Sequence, residues 1–99
     1  PHEGVYATWI EIDGQYMISA TSIGNNPTFN GENITVETFI LGFDSDIYET
    51  NVRLAFGPMI REMTSFSSTE DLTEQMKEDV LKVPEILNRF PIYPHSFSS

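Results

Sequence analysis

The dipeptide Asp13-Gly14 constrains this chain more than any other feature. It separates two runs rich in β-branched and aromatic residues, Gly4-Val5-Tyr6-Ala7-Thr8-Trp9-Ile10-Glu11-Ile12 and residues 15–23. A two-residue connection between strands needs positive φ, which glycine adopts without a Cβ penalty. The pair therefore predicts an antiparallel hairpin of 4–12 with 15–23. On the second strand Tyr16, Ile18, Ala20 and Ser22 share one face, because successive side chains alternate across a sheet.

The rest of the chain extends this start. Residues 24–32 hold Gly, Asn and Pro and read as a loop. A third strand is expected over about 34–42. A short polar link, Phe43-Asp44-Ser45-Asp46, then leads through Ile47-Tyr48 to a fourth strand near 51–61. There Val52, Leu54 and Phe56 alternate with Arg53 and Ala55, and Gly57-Pro58 predicts a bulge or an edge position. A helix is expected after Phe66. Ser67 and Ser68 are good N-caps, each with an acid three residues on, Glu70 and Asp71. Leu72, Met76, Val80 and Val83 recur at helical spacing and form one apolar stripe. Pro84 is expected to end the helix, leaving 84–99 as an irregular tail with three prolines. The class is mainly β, of the α+β type, with one helix packed on a sheet. Four strands do not close a barrel well, since roughly six to eight are usual. Either strands are missing or the sheet is open.

Ninety-nine residues make a single domain, 1–99, and hydrophobic and aromatic contents of 39% and 12% fit a globular chain. There are no cysteines, which excludes disulfides and thiolate metal sites and allows a reducing compartment. The formal charge is −10, and Arg53, Arg61, Lys77, Lys82 and Arg89 are the only Lys or Arg. Five scattered cations make no nucleic-acid footprint. No apolar run approaches the ~20 residues that span a membrane, and no signal-peptide pattern opens the sequence.

Glu37 is the residue that invites a functional question. In Ile34-Thr35-Val36-Glu37-Thr38-Phe39-Ile40-Leu41 it shares a face with Phe39 and Leu41. A buried, unpaired carboxylate there would cost about 2–5 kcal/mol. It therefore sits at a pocket rim, or is paired, or does chemistry, unless the strand end simply faces water. Other motifs carry less. Asp44-Ser45-Asp46 lacks the later Gly and Glu of a calcium loop and reads as a turn. Asn33-Ile34-Thr35 matches a glycosylation sequon but comes with no secretory signal. His2 and His95 have no ligand spacing between them, and no Ser-His-Asp set or glycine-rich phosphate loop is present.

Several of these segments, taken in order, resemble the riboflavin kinase domain. They are Gly4-Val5-Tyr6; Ile23-Gly24-Asn25-Asn26-Pro27-Thr28-Phe29; Val36-Glu37-Thr38; Phe43-Asp44-Ser45-Asp46-Ile47-Tyr48; and Ile60-Arg61-Glu62-Met63 leading to Phe66-Ser67-Ser68, Leu72 and Asp79. The likeness covers about 4–83 and is greatest to the bacterial form, the C-terminal half of a bifunctional riboflavin kinase/FAD synthetase. It implies a Greek-key β-barrel, here partial, with one C-terminal helix. It also implies a cytoplasmic enzyme that moves the γ-phosphoryl group of ATP, with Mg2+, to the 5′-hydroxyl of riboflavin, giving FMN. An FMN adenylyltransferase domain is an expected neighbour.

The resemblance places the general base at Glu37, nucleotide contacts at Ile40, Leu41 and Tyr48, and flavin contacts at Arg61, Thr64 and Asp71. From the residues alone, Ile40 and Leu41 read as core, Asp71 as helix first-turn chemistry, and Arg61 as a surface partner of Glu62 or Glu70. Three departures stand out. The family's Pro-Thr-Ala-Asn segment, which supplies the Mg-ATP site, lies before the Gly-Val-Tyr strand and is absent, so no metal ligand is expected here. Glu49 stands where the family often has Gly. No basic residue occurs at Thr64-Ser65. These departures lead to the expectation that the 99 residues are a fragment that alone does not phosphorylate riboflavin. The alternative is a non-catalytic flavin-binding or regulatory module of the same fold.

Overall fold

The computed structural model describes residues 2–42 and 52–91, with the backbone alone at 26–28 and 32. Four strands and one helix follow one another: β1 (Gly4–Ile12), β2 (Gln15–Thr28), β3 (Gly31–Ile40), β4 (Val52–Arg61) and α1 (Thr69–Arg89). The strands form one antiparallel sheet in the order β3-β2-β1-β4. The expected hairpin is present, with Gly4 opposite Ile23 and Ile12 opposite Gln15. Its turn has positive φ at both Asp13 (51°) and Gly14 (80°), the requirement that the dipeptide announced.

The strand with Gly57-Pro58 is an edge strand, and its register against β1 shifts between Val5 and Tyr6 and again between Tyr6 and Thr8. Both expectations for that dipeptide hold. The reading of 24–32 as a loop does not. β2 continues to Thr28, and β3 starts at Gly31, where φ is 126°. Residues Gly24 to Thr28 pair with Thr35 back to Gly31. Beyond Ile23 this extension has β3 beside it and no β1 pairing. With no strand paired on that flank among the described residues, Pro27 can sit in the strand without breaking a ladder on both sides.

One sheet face carries Val5, Ala7, Ala20 and Ile18 and is covered by α1. Val5, Ala7, Ala20, Met76, Val80, Val83 and Leu87 form the buried core, with Trp9, Phe39, Leu41 and Leu72 packed against it. The helix begins as expected: Ser68 is the N-cap, and its Oγ accepts from the Asp71 N–H at 3.1 Å. It does not end at Pro84. It runs on to Arg89, so the first six residues of the expected irregular tail are helical. Pro84 removes one backbone bond, at a typical cost of about 3 kcal/mol. The apolar stripe continues past it to Leu87, which is 7% exposed, and burying such a side chain returns about 1.5–3 kcal/mol. Ile86 adds further packing. The packed face overrides the local preference.

The opposite face holds a chain of buried hydroxyls. Thr8 Oγ1 lies 2.7 Å from Ser19 Oγ and 2.9 Å from Thr21 Oγ1, which lies 2.9 Å from Thr38 Oγ1. Thr8, Ser19 and Thr21 are fully buried. Each satisfies another, which is the condition for keeping hydroxyls out of water. Among the described residues no helix is long and apolar enough to cross a membrane.

Candidate functional site

Cross-strand register places Glu37 in a definite setting. Glu37 lies opposite Ser22, Ser22 opposite Val5, and Val5 opposite Arg61. Two of the candidate residues are thus the ends of one row that crosses the whole sheet. Their backbones are three interstrand spacings apart, roughly 14 Å. The row lies on the helix-covered face, and Glu37 at its β3 end is exposed.

Over that end the chain folds back. After β4, residues 62–68 run across the row before α1 starts, and Ser22 Oγ donates to Met63 Sδ at 3.6 Å. Between this segment and the sheet is an open cavity of about 720 Å³. Glu37, Ser22 and Thr35 form its sheet wall, with Gly24 and Asn25 at the end; Met63, Thr64, Ser65 and Phe66 form the other. Leu72 closes the helix side, and Glu3 brings a second carboxylate. The size is that of a small-molecule site, within the usual ~300–1,000 Å³. Gly24 lets Thr35 pack closely across the strands, since a Cβ there would be 3.0 Å from Thr35 Oγ1. Glu37 therefore has polar neighbours, although its strand neighbours on the same face, Phe39 and Leu41, pack against the core. Two of the open alternatives for this carboxylate hold together: it lines a cavity, and it is exposed to water.

Arg61 does not line the cavity. Its Nε donates to Asp79 Oδ2 at 2.9 Å, and Nη2 is 2.9 Å from the same oxygen. Asp79 is fully buried, and its Oδ1 accepts from Gln75 Nε2 at 3.1 Å. The partner is thus a buried helix aspartate rather than Glu62 or Glu70. Arg61 also donates from Nη1 to the Glu62 carbonyl at 3.2 Å and sits 5.7 Å from the Phe66 ring centroid.

The structure brings Glu37 and Thr64 to one cavity and leaves Ile40, Leu41, Arg61 and Asp71 outside its lining. Ile40 is buried on the opposite face, and Leu41 packs against the core, where its N–H donates to the Ile18 carbonyl at 2.9 Å. Asp71 is exposed in the first turn of α1 and accepts from Ser67 Oγ at 2.8 Å. Tyr48 and the Phe43–Tyr48 segment lie outside the described residues. Glu3, Asn25 and Phe66 were not singled out as site residues from the sequence. Asn25 and Phe66 belong to the segments that carried the resemblance, so a signal was present; Glu3 had none. Among the described residues no three His, Asp or Glu side chains come together to hold a metal ion.

An antiparallel sheet with a helix on one face, and a carboxylate on the wall of a cavity, define a small α+β domain with a candidate ligand site. Comparison with known proteins gives the family. The chain belongs to the riboflavin kinase family: the family model described as Flavokinase, riboflavin kinase, matches residues 1–87. It is 35% identical over 79 residues to the RNA-binding riboflavin kinase RibR of Bacillus subtilis, covering 78% of this chain and 34% of that one. It is 33% identical over 81 residues to the bifunctional riboflavin kinase/FMN adenylyltransferase of Pseudomonas fluorescens, covering 81% of this chain and 26% of that one. The chain thus spans about a third or less of these relatives. A solved structure from Streptococcus pneumoniae, described as a macrolide-efflux protein, matches with a TM-score of 0.71 at 37% identity, over 85% of this chain and 28% of that one. The fold and family expected from the ordered motifs are therefore those found.

Proposed function

We propose that this chain carries the flavin side and the general base of a riboflavin kinase. In the reaction the riboflavin 5′-hydroxyl oxygen attacks the γ-phosphorus of ATP. The bond to the β,γ-bridging oxygen breaks, ADP leaves, and the hydroxyl proton passes to the Glu37 carboxylate. Such transfer depends on positioning and on charge neutralisation, with a carboxylate to orient the attacking hydroxyl. The observation that carries the reading is Glu37 on the wall of a 720 Å³ cavity, facing the segment with Thr64 and Phe66.

Phe66, Met63 and Leu72 offer apolar surface for a flavin ring, and Thr64 a hydroxyl. Arg61 and Asp71 belong to the flavin side as supports of that segment and of the helix start. ATP is proposed to approach near Ile40, Leu41 and Tyr48. Mg2+ is the expected counter-ion for the phosphates. An FMN adenylyltransferase neighbour is proposed by likeness to the bifunctional relatives, and a cytoplasmic setting by the chemistry.

A second reading keeps the fold and the flavin but not the catalysis. A relative named for RNA binding as well as for the kinase favours it. RNA binding itself does not carry over, because a charge of −10 repels phosphate. Titrating riboflavin into the full-length protein, with and without ADP and Mg2+, separates the two by flavin fluorescence. Tightening by nucleotide is the kinase result. Binding that ignores nucleotide supports the module, and no flavin binding removes both.

A further inference from the structure

Asp79 is the one fully buried acidic side chain among the described residues, and neither the fold nor the proposed chemistry has yet given it a task. A buried carboxylate is costly unless paired and hydrogen-bonded. Both its oxygens are engaged: Oδ2 with Arg61 at 2.9 Å and Oδ1 with Gln75 at 3.1 Å. Burying a pair like this is a weak way to gain stability, because apolar residues of similar volume do as well or better. What such a pair provides is a fixed geometry.

That geometry bears on the cavity. Arg61 is the last residue of β4, and the segment that forms the outer cavity wall starts directly after it. The guanidinium that Asp79 holds also donates to the Glu62 carbonyl and lies 5.7 Å from Phe66. Asp79 thus fixes Arg61, and Arg61 fixes both ends of the stretch that carries Met63, Thr64 and Ser65. Val5 and Ser22 complete the connection through the sheet to Glu37.

We infer that Asp79 is a positioning residue for the flavin site: through Arg61 it sets the width of the cavity between the 62–66 wall and Glu37. The inference rests on the reading of that cavity as the flavin site. Asp79 touches no substrate. Its removal is expected to weaken riboflavin binding while leaving nucleotide binding unchanged, since the nucleotide contacts are proposed elsewhere.

The test uses the full-length protein and four variants, Asp79→Asn, Gln75→Ala, Arg61→Lys and Val80→Ala. Riboflavin affinity is read by flavin fluorescence and ADP affinity by calorimetry, below the melting transition of every variant. Asp79→Asn and Arg61→Lys are expected to weaken riboflavin binding about tenfold or more, a change of about 1.4 kcal/mol. Lysine does not rescue, because it cannot reproduce the side-on guanidinium contact. Gln75→Ala removes one hydrogen bond to Asp79 and gives a smaller loss; it also reads the inference if Asp79→Asn fails to fold. Val80→Ala destabilises the same helix without touching the pair and is expected to leave riboflavin affinity within about twofold. Equal riboflavin affinity in the wild type and the folded Asp79→Asn or Gln75→Ala variant overturns the inference. So does an equal loss in Val80→Ala, or a parallel loss of ADP affinity. A wild-type protein that binds no riboflavin overturns the flavin reading itself.

Discussion

Two neighbouring rows of the same sheet face have opposite characters. Ala7, Ala20 and Phe39 form one. Ala7 and Ala20 are fully buried and belong to the core that Met76, Val80 and Val83 complete. Arg61, Val5, Ser22 and Glu37 form the next. That row is apolar only at Val5, becomes polar toward β3, and ends in an exposed carboxylate beside a cavity. The strands, the register and the side of the sheet are the same. What differs is the cover: the helix alone lies over one row, whereas the other meets both the helix, at Val5 and Arg61, and the 62–68 segment, at Ser22 and Glu37. The packed row fixes the backbone register on which the neighbouring row presents its polar end.

The comparison makes predictions of decreasing size. Met76 is fully buried against the apolar row, and Met76→Ala is expected to lower unfolding free energy by about 2–5 kcal/mol in a urea titration. A cost under about 1 kcal/mol would mean that the row is not packed as described. Gly4 has φ of 154°, and a Cβ there would lie 2.8 Å from the flexible end of Met59. Gly4→Ala is expected to cost about 1–3 kcal/mol, most of it backbone strain, measured the same way.

The smallest effect is at the other end of β4, where Arg53 meets Glu11 at 3.6 Å with the arginine side chain half exposed. Glu11→Gln is expected to change stability by about 0–1 kcal/mol. Its hydrogen bond with Glu11 holds the Tyr16 phenol above its ordinary range. The same substitution should therefore lower the Tyr16 pKa in an ultraviolet titration. The two arginines of β4 are thus expected to separate: the Arg53–Glu11 pair is expected to be close to neutral, and the Arg61–Asp79 pair to act through geometry.

Much of this was legible in the sequence, for identifiable reasons. Asp13-Gly14 specified a hairpin because backbone φ is a local matter, and the bulge at Gly57-Pro58 followed the same logic. The helix stripe and the Ser68 cap were also local. The failures all involve distant partners. Residues 24–28 look like a loop because Asn, Pro and Gly favour turns, yet β3 pairs with them. Pro84 looks like a stop, yet burial of Leu87 carries the helix through. At the site, the face that Glu37 occupies could be read from alternation. Its polar surroundings could not, because Met63 and Thr64 arrive from the far side of β4. Asp79 belonged to the motif series but had no assigned role until Arg61 was seen to reach it.

The central claim is that Glu37 acts in chemistry and not in folding. Glu37→Gln in the full-length protein, assayed for FMN production from riboflavin and Mg-ATP, tests it most directly. The account predicts a fall in turnover of about 10²–10⁴-fold, with stability unchanged within about 0.5 kcal/mol and riboflavin binding retained. A variant that turns over within about twofold of the wild type, below the ~10²-fold effect expected of a general base, would contradict it.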